Sequence, residues 1–317
     1  MKSRKWLWCW LAMLLGSLLW SDRLLAITTA PYFPIDAGNS WTYSWTENGL
    51  TGKSTTTVLD TPVLVNGVTT IVVQESDGEL TQTYMTNDHN GIREHREYVP
   101  STWIDGFGFT SVDMVFSPPM KMVDAETTVG ASLYSTGTAM FTIAGLGTFP
   151  LTYTLTSSID GLENITVPAG TYQAVKNTQK LTIAGSVLGE YLSIAMTRTL
   201  WLTKGIGIVK SVASDSDGHL EAALTATNVA SKVTPTAGEN GTILPNTPQY
   251  VPDNETITFT VTPEPFYLIE SVTGCGGTLT VNSYTTAPVS EDCEVVATFY
   301  RPQSASLPWL MLLLEDE

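Results

Sequence analysis

Cysteine and histidine are both scarce in this chain, three of each in 317 residues, and basic side chains are outnumbered, 15 against 31 acidic ones. The shortage of histidine narrows the chemistry first. A nucleophile–histidine hydrolase needs a base, and the candidates are His89 in "NDHNG", His95 in "REHREYV" and His219 in "SDGHL". Two lie beside turn sequences and the third in a run of alternating charge, so all three are expected at the solvated surface. No HExxH metal motif, GxSxG elbow, phosphate-cradling glycine loop or dinucleotide fingerprint is present. Paired carboxylates can hydrolyse polysaccharide, yet nothing in the sequence singles out two acids from the many. The shortage of basic residues excludes nucleic acid as a partner, because phosphate binding needs clustered positive charge.

The amino terminus departs from the rest. Lys2, Arg4 and Lys5 precede an apolar run from Trp6 to Trp20, and "LLA" offers cleavage after Ala26. Residues 1–26 therefore read as an export signal peptide, too short in its apolar core for a permanent span. Cys9 lies inside that run without the context of a lipid-modified cysteine. Removing residues 1–26 takes away four basic residues and one acidic one, leaving 11 Lys and Arg against 30 Asp and Glu. The expected location is extracytoplasmic, whether periplasm, cell surface or medium, with no membrane span in the mature chain.

Helical periodicity is almost absent between Phe33 and Asn228. "NSWTYSW" alternates instead, with Trp41, Tyr43 and Trp45 on one face and Thr42, Ser44 and Thr46 on the other, the mark of a strand with one buried face. "TTIVVQ", "LTQTYMT", "TAMFTIAG", "FPLTYTLT" and "YLSIAMTRTLWL" continue the pattern, separated by "VNGV", "SDGE", "DHNG" and "SDGH" turns. The fold class expected is all-β, a large curved antiparallel sheet or partly closed barrel over residues 30–228. In "LENITVPAGTYQAVK", Pro168 ends one strand and Gly170 lets the chain turn, a structural corner without chemistry. The interval "YVPSTWIDGFGFTSVDMVFSPPMKMV" is expected to be broken by its prolines. Its apolar loop around Trp103 and Phe107 would line a cavity mouth or plug a barrel end.

A stretch at 229–240 reads as a linker leading into a second, smaller unit at about 233–300. Cys275 and Cys293 are expected to form a disulfide there, stabilising a marginal core by about 3 kcal/mol. In "CEVVATFY", Cys293, Val295, Ala297 and Phe299 share a face. Residues 301–317 form an apolar-acidic tail. "SDSDGHLE" places Asp215, Asp217 and Glu221 near one turn, a weak calcium site or a plain hairpin. No cofactor is implied by any motif.

Three segments, "YFPIDAGNSWTYSW", "GLENITVPAGTYQAVK" and "RTLWLTKGIGIVKSV", together resemble exported bacterial β-sheet proteins broadly similar to the LolA/LppX-like lipoprotein carriers. The resemblance implies a concave sheet face that accepts an apolar ligand, although the helices that lid such a sheet are missing here. The second unit, with "GTI", "VTPEPFY", "SVTGCGG" and "VVATFY", resembles divergent internalin B-repeat-like modules, which implies a spacer or adhesion role. The reading that follows is an exported, non-enzymatic binding or surface-interaction protein. Trp41, Tyr43, Trp45, Trp103 and Phe107 would line its apolar ligand or else be filled core, the preferred reading for Trp41 and Trp45, and an envelope or surface protein is the other partner expected. An envelope hydrolase acting on polysaccharide or peptide and a purely structural surface protein are the alternatives.

Overall fold

A computed structural model describes residues 26–76, 80–104, 108–215 and 218–303. Residues 1–25 and 304–317, Phe107 and Asp217 lie outside the described residues, and with them most of the expected signal peptide and apolar-acidic tail. In chain order, β1 (Ala26–Thr28) and a 3-10 turn at Ala30–Tyr32 lead into β2 (Ser40–Glu47), β3 (Leu50–Val58), β4 (Val63–Val65) and β5 (Val68–Ser76). Then come β6 (Leu80–Asp88), β7 (Gly91–Ile104), β8 (Gly108–Val123), β9 (Glu126–Thr128), β10 (Ser132–Ile143) and β11 (Gly147–Val167). The first unit ends with β12 (Gly170–Val187), β13 (Glu190–Thr203), β14 (Gly207–Ser214) and β15 (His219–Thr227).

These strands meander, each pairing antiparallel with the next, and the sheet closes on itself. At one seam β15 pairs with β2, where Trp41 sits opposite Thr227. On the far side of the meander β3 pairs with β5, Val58 opposite Val73. The product is a closed barrel of twelve strands, with β4 as a short flap on β5 and β1–β9 as a separate two-stranded pair. Closure removes the exposed edges that an open sheet of this size would present. The turn chemistry agrees with the hairpins: Asn48 and Gly49 between β2 and β3, and Asn66 and Gly67 between β4 and β5, all have positive φ, as two-residue primed turns require.

Side-chain alternation sorts the barrel's two faces. On β11, Leu151, Tyr153 and Leu155 are buried while Thr152 and Thr156 are exposed. On this strand the apolar residues point into the lumen and the threonines face out. A lipid-facing barrel has the opposite polarity. Among the described residues no helix is long and apolar enough to cross a membrane.

The proline-rich interval is not broken as expected; β7 and β8 run through it as strands of 14 and 16 residues. The reason lies in the register. The β7–β8 ladder skips between Val99 and Thr102, where Pro100 lies, and between the Arg96–Val115 and Glu94–Met120 pairs, where Pro118 and Pro119 lie. At those positions no ladder hydrogen bond is asked of a proline.

The smaller unit comprises β16 (Ala230–Ala237), β17 (Gly241–Leu244), β18 (Gln249–Pro252), β19 (Thr258–Pro263), β20 (Leu268–Thr273), β21 (Thr278–Thr280), β22 (Ser283–Thr285) and β23 (Cys293–Tyr300). They form two four-stranded sheets, ordered β18-β16-β23-β20 and β17-β19-β22-β21. Strand β16 enters this unit and pairs in parallel with β23. Val233, Phe259, Val261, Tyr284, Val295 and Ala297 make the core between the sheets. The Cys275–Cys293 disulfide, with Cα atoms 5.6 Å apart, ties the end of β20 to the start of β23.

The two units meet at the corner between β11 and β12. Ala169, between Pro168 and Gly170, is fully buried. Its N–H donates to the Leu224 carbonyl (3.0 Å), and its carbonyl accepts from the Tyr250 N–H (3.1 Å) and the Tyr172 hydroxyl (2.8 Å). The Thr171 N–H donates to Gln249 Oε1 at 3.2 Å. The corner is therefore also the joint that fastens the smaller unit to the barrel.

Candidate functional site

Packing does not fill the barrel. A cavity of about 310 Å³ lies in the lumen, walled by eleven of the twelve ring strands and by Tyr32, Phe33, Pro34 and Ile35 of the segment before β2. That segment is held by the Asn87 side-chain amide, which donates to the Phe33 carbonyl at 2.9 Å, and by the Gly205 N–H donating to the Pro31 carbonyl at 2.8 Å. Most of the wall is apolar: Met85, Met120, Met122, Leu155, Leu181, Met196 and Leu200 all contribute. Four unbranched, polarisable methionines give such a wall an adaptable shape.

Trp41 and Tyr43 are on that wall. The Trp41 indole N–H donates to the Ile206 carbonyl at 2.6 Å and the Tyr43 hydroxyl to the Ile208 carbonyl at 2.8 Å. Both polar ends are spent on the backbone around the start of β14, which fixes the rings against the wall. Burial, with Glu75 adding to it, pushes the Tyr43 phenol up and keeps it neutral. Trp45 shares their face of β2 but is packed over Gly52, where an added Cβ would collide with the indole. It is not among the residues of the cavity wall, and among the described residues its buried indole N–H has no partner. Trp103 lies on β7, where only the backbone is described.

The polar part of the lumen was not anticipated. In both ladders of β7, His95 is skipped: Glu94 pairs with Met85 and Met120, and the next partner is Arg96. This bulge turns Glu94 and Glu97, three residues apart, to the same side, against Met85 and Thr83 of β6. Both glutamates line the cavity. Among the described residues, neither carboxyl accepts a hydrogen bond or forms an ion pair. Burial, reinforced by the neighbouring Glu97, pushes the Glu94 carboxyl up to about 8, against a smaller pull from Arg198. Burial raises Glu97 as well, again against the pull of Arg198.

Arg198 donates through Nη2 (2.8 Å) and Nε (3.3 Å) to Gln179 Oε1. Gln179 Nε2 donates to Asn177 Oδ1 at 2.8 Å, and Asn177 Nδ2 to Ser157 Oγ at 2.9 Å. The guanidinium thus ends a buried hydrogen-bonded chain along the inner face of β12, in which each member orients the next.

His95, expected at the surface, is buried, with Nε2 at 3.0 Å from the Thr86 hydroxyl; as the bulged residue it leaves the regular alternation of β7. His89 and His219 are exposed and contact Asn90 and Ser214. At the β14–β15 turn, Asp215 Oδ1 accepts the Gly218 N–H at 3.0 Å, while Glu221 pairs with Lys210 at 2.6 Å. Among the described residues no group of three His, Cys, Asp or Glu side chains comes together to hold a metal.

Residues 115–225 match a family model described as DUF3108-like, and residues 231–303 match the divergent InlB B-repeat domain. The first spans β8 to β15 for the most part and the second the smaller unit. No curated protein is similar enough in sequence to match. Among solved structures, a candidate exported protein with YmcC-like fold from Bacteroides fragilis is 15% identical; the alignment covers 61% of this chain and 96% of that one at a TM-score of 0.38. A candidate lipoprotein from Parabacteroides distasonis is 12% identical, with 62% and 98% covered and a TM-score of 0.32. The hypothetical lipoprotein YmcC from Escherichia coli is 11% identical, with 65% and 90% covered and a TM-score of 0.30.

Proposed function

We propose that this is an exported, non-enzymatic binding protein whose barrel holds a small, mainly apolar molecule in its lumen, with the smaller unit as an appended interaction or spacer module. The observation that carries the reading is the 310 Å³ cavity, walled by methionine, leucine and aromatic side chains, which falls at the small end of ligand-site volumes. Trp41 and Tyr43 act as fixed wall elements. Trp103, on β7, and Phe107 belong to the same proposal as ligand contacts. The carboxyl pair supports binding better than hydrolysis. Paired-carboxylate hydrolysis needs one ionised and one protonated group flanking the scissile bond, whereas Glu94 and Glu97 come from one strand and are both driven toward neutrality.

The test is uptake of a neutral apolar fluorophore such as N-phenylnaphthylamine by the purified protein and by Leu155→Trp, which fills the lumen. Saturable uptake by the native protein, lost in a folded Leu155→Trp variant, is the expected result. No uptake by the native protein, together with no co-purifying small molecule in native mass spectrometry, would overturn it.

A further inference from the structure

We propose that the ligand of the lumen is an apolar molecule ending in an ammonium group, and that Glu94 and Glu97 receive that group; this rests on the reading of the barrel as a binding protein. The titratable side chains on the wall are Tyr32, Tyr43, Glu75, Glu94, Glu97 and Arg198. Three carboxyls therefore face one guanidinium. Glu94 is only 6% exposed, yet its carboxyl reaches the cavity with no hydrogen-bond partner among the described residues. Among the described residues its oxygens are not buried orphans, so whatever occupies the cavity, solvent or ligand, has to meet their hydrogen-bonding demand.

The unmet demand is for donors. Arg198 spends two of its five N–H groups on Gln179, and an anionic head that took the remaining ones would lie beside two carboxyls. An ammonium brings three N–H donors and a positive charge, enough for both carboxyls at once. The apolar wall then takes the tail. When the ammonium docks, a neutral carboxylic acid gives its proton to the buffer and the resulting carboxylate pairs with the cation. The exchange balances as one proton released for each cation bound.

Titration calorimetry with decylamine, decanol and decanoate at about pH 7 separates the possibilities. Decylamine is expected to bind about tenfold or more tighter than decanol, as a charge-assisted hydrogen bond implies. Decanoate is expected to bind most weakly. Repeating the decylamine titration in buffers of different ionisation enthalpy should reveal proton release. In the double variant Glu94→Gln, Glu97→Gln, decanol binding should persist while the amine preference falls to within about twofold. Equal binding of decylamine and decanol to the native protein, or tighter binding of decanoate, overturns the headgroup assignment and leaves the lumen as a binding site. Binding of none of the three overturns both readings.

Discussion

Replacing Glu94 by glutamine should change how stability depends on pH. The Glu94 carboxyl is raised from an ordinary value of 4.5 to about 8, chiefly by burial. Between those values the folded chain holds a proton that the unfolded chain has released. Stability therefore falls as pH rises, because the unfolded state binds fewer protons than the native one. The contribution is fully present below about 4.5 and is lost by the time pH passes about 8. The limiting slope is about 1.4 kcal/mol per pH unit, so the ceiling over the whole window is about 5 kcal/mol. Sharing of charge between Glu94, Glu97 and Arg198 lowers the realised figure; about 2 kcal/mol or more between pH 5 and 8 is the expectation. Glutamine is nearly the same size and does not titrate, so its fixed cost shifts the curve without tilting it. Urea unfolding of both proteins at several pH values across that range gives the difference directly, since the surface carboxylates cancel in the comparison. The native protein should lose stability relative to Glu94→Gln as pH rises. A difference that stays constant from pH 5 to 8 would refute the assignment of Glu94 to a desolvated site.

Three further outcomes are expected. Gly170→Val should destabilise by about 2–4 kcal/mol in chemical denaturation, because φ is +150° and a Cβ there would lie 2.8 Å from the Tyr172 hydroxyl and 3.1 Å from Gln249 Oε1; a variant of unchanged midpoint would contradict the packing at this joint. Cys275→Ser with Cys293→Ser should lower the stability of the smaller unit by about 3 kcal/mol, seen as an earlier melting step in calorimetry while the barrel transition stays in place. Asn177→Leu should cost about 2–4 kcal/mol, since it strands Gln179 and Ser157 inside the barrel, and circular dichroism melting should register the loss.

Local alternation made part of the site readable. "NSWTYSW" has a period of two, which groups Trp41, Tyr43 and Trp45 on one face, and the structure has Trp41 and Tyr43 on the cavity wall. The same rule fails at "REHREY". Strict alternation would separate Glu94 from Glu97, and only the extra residue at His95 brings them together. Bulges arise from pairing with neighbours on both sides, Met85 and Met120 here, so they leave no mark in the strand's own sequence. For the same reason the prolines at 100, 118 and 119 argued for a break where the register only slips. The curved sheet or partly closed barrel was legible from turns and patterning, but full closure was not. The β2–β15 and β3–β5 pairings depend on contacts that no local pattern encodes. Trp45 shares a face with Trp41 in the sequence, and its packing over Gly52 depends on the partner strand, which the strand's own sequence does not show.

Closure also sets a condition on when the fold can exist. The seam joins β2 to β15, so Trp41 has no partner at Thr227 until nearly the whole barrel sequence has emerged. Until then β2 offers an unpaired edge and the lumen has no wall on that side. Such distant pairing slows folding and leaves intermediates open to association. If the chain is exported as proposed, one threaded from its amino terminus could become a container only on the far side. The proposed binding space would then form after export, where it could be filled only by what is present there.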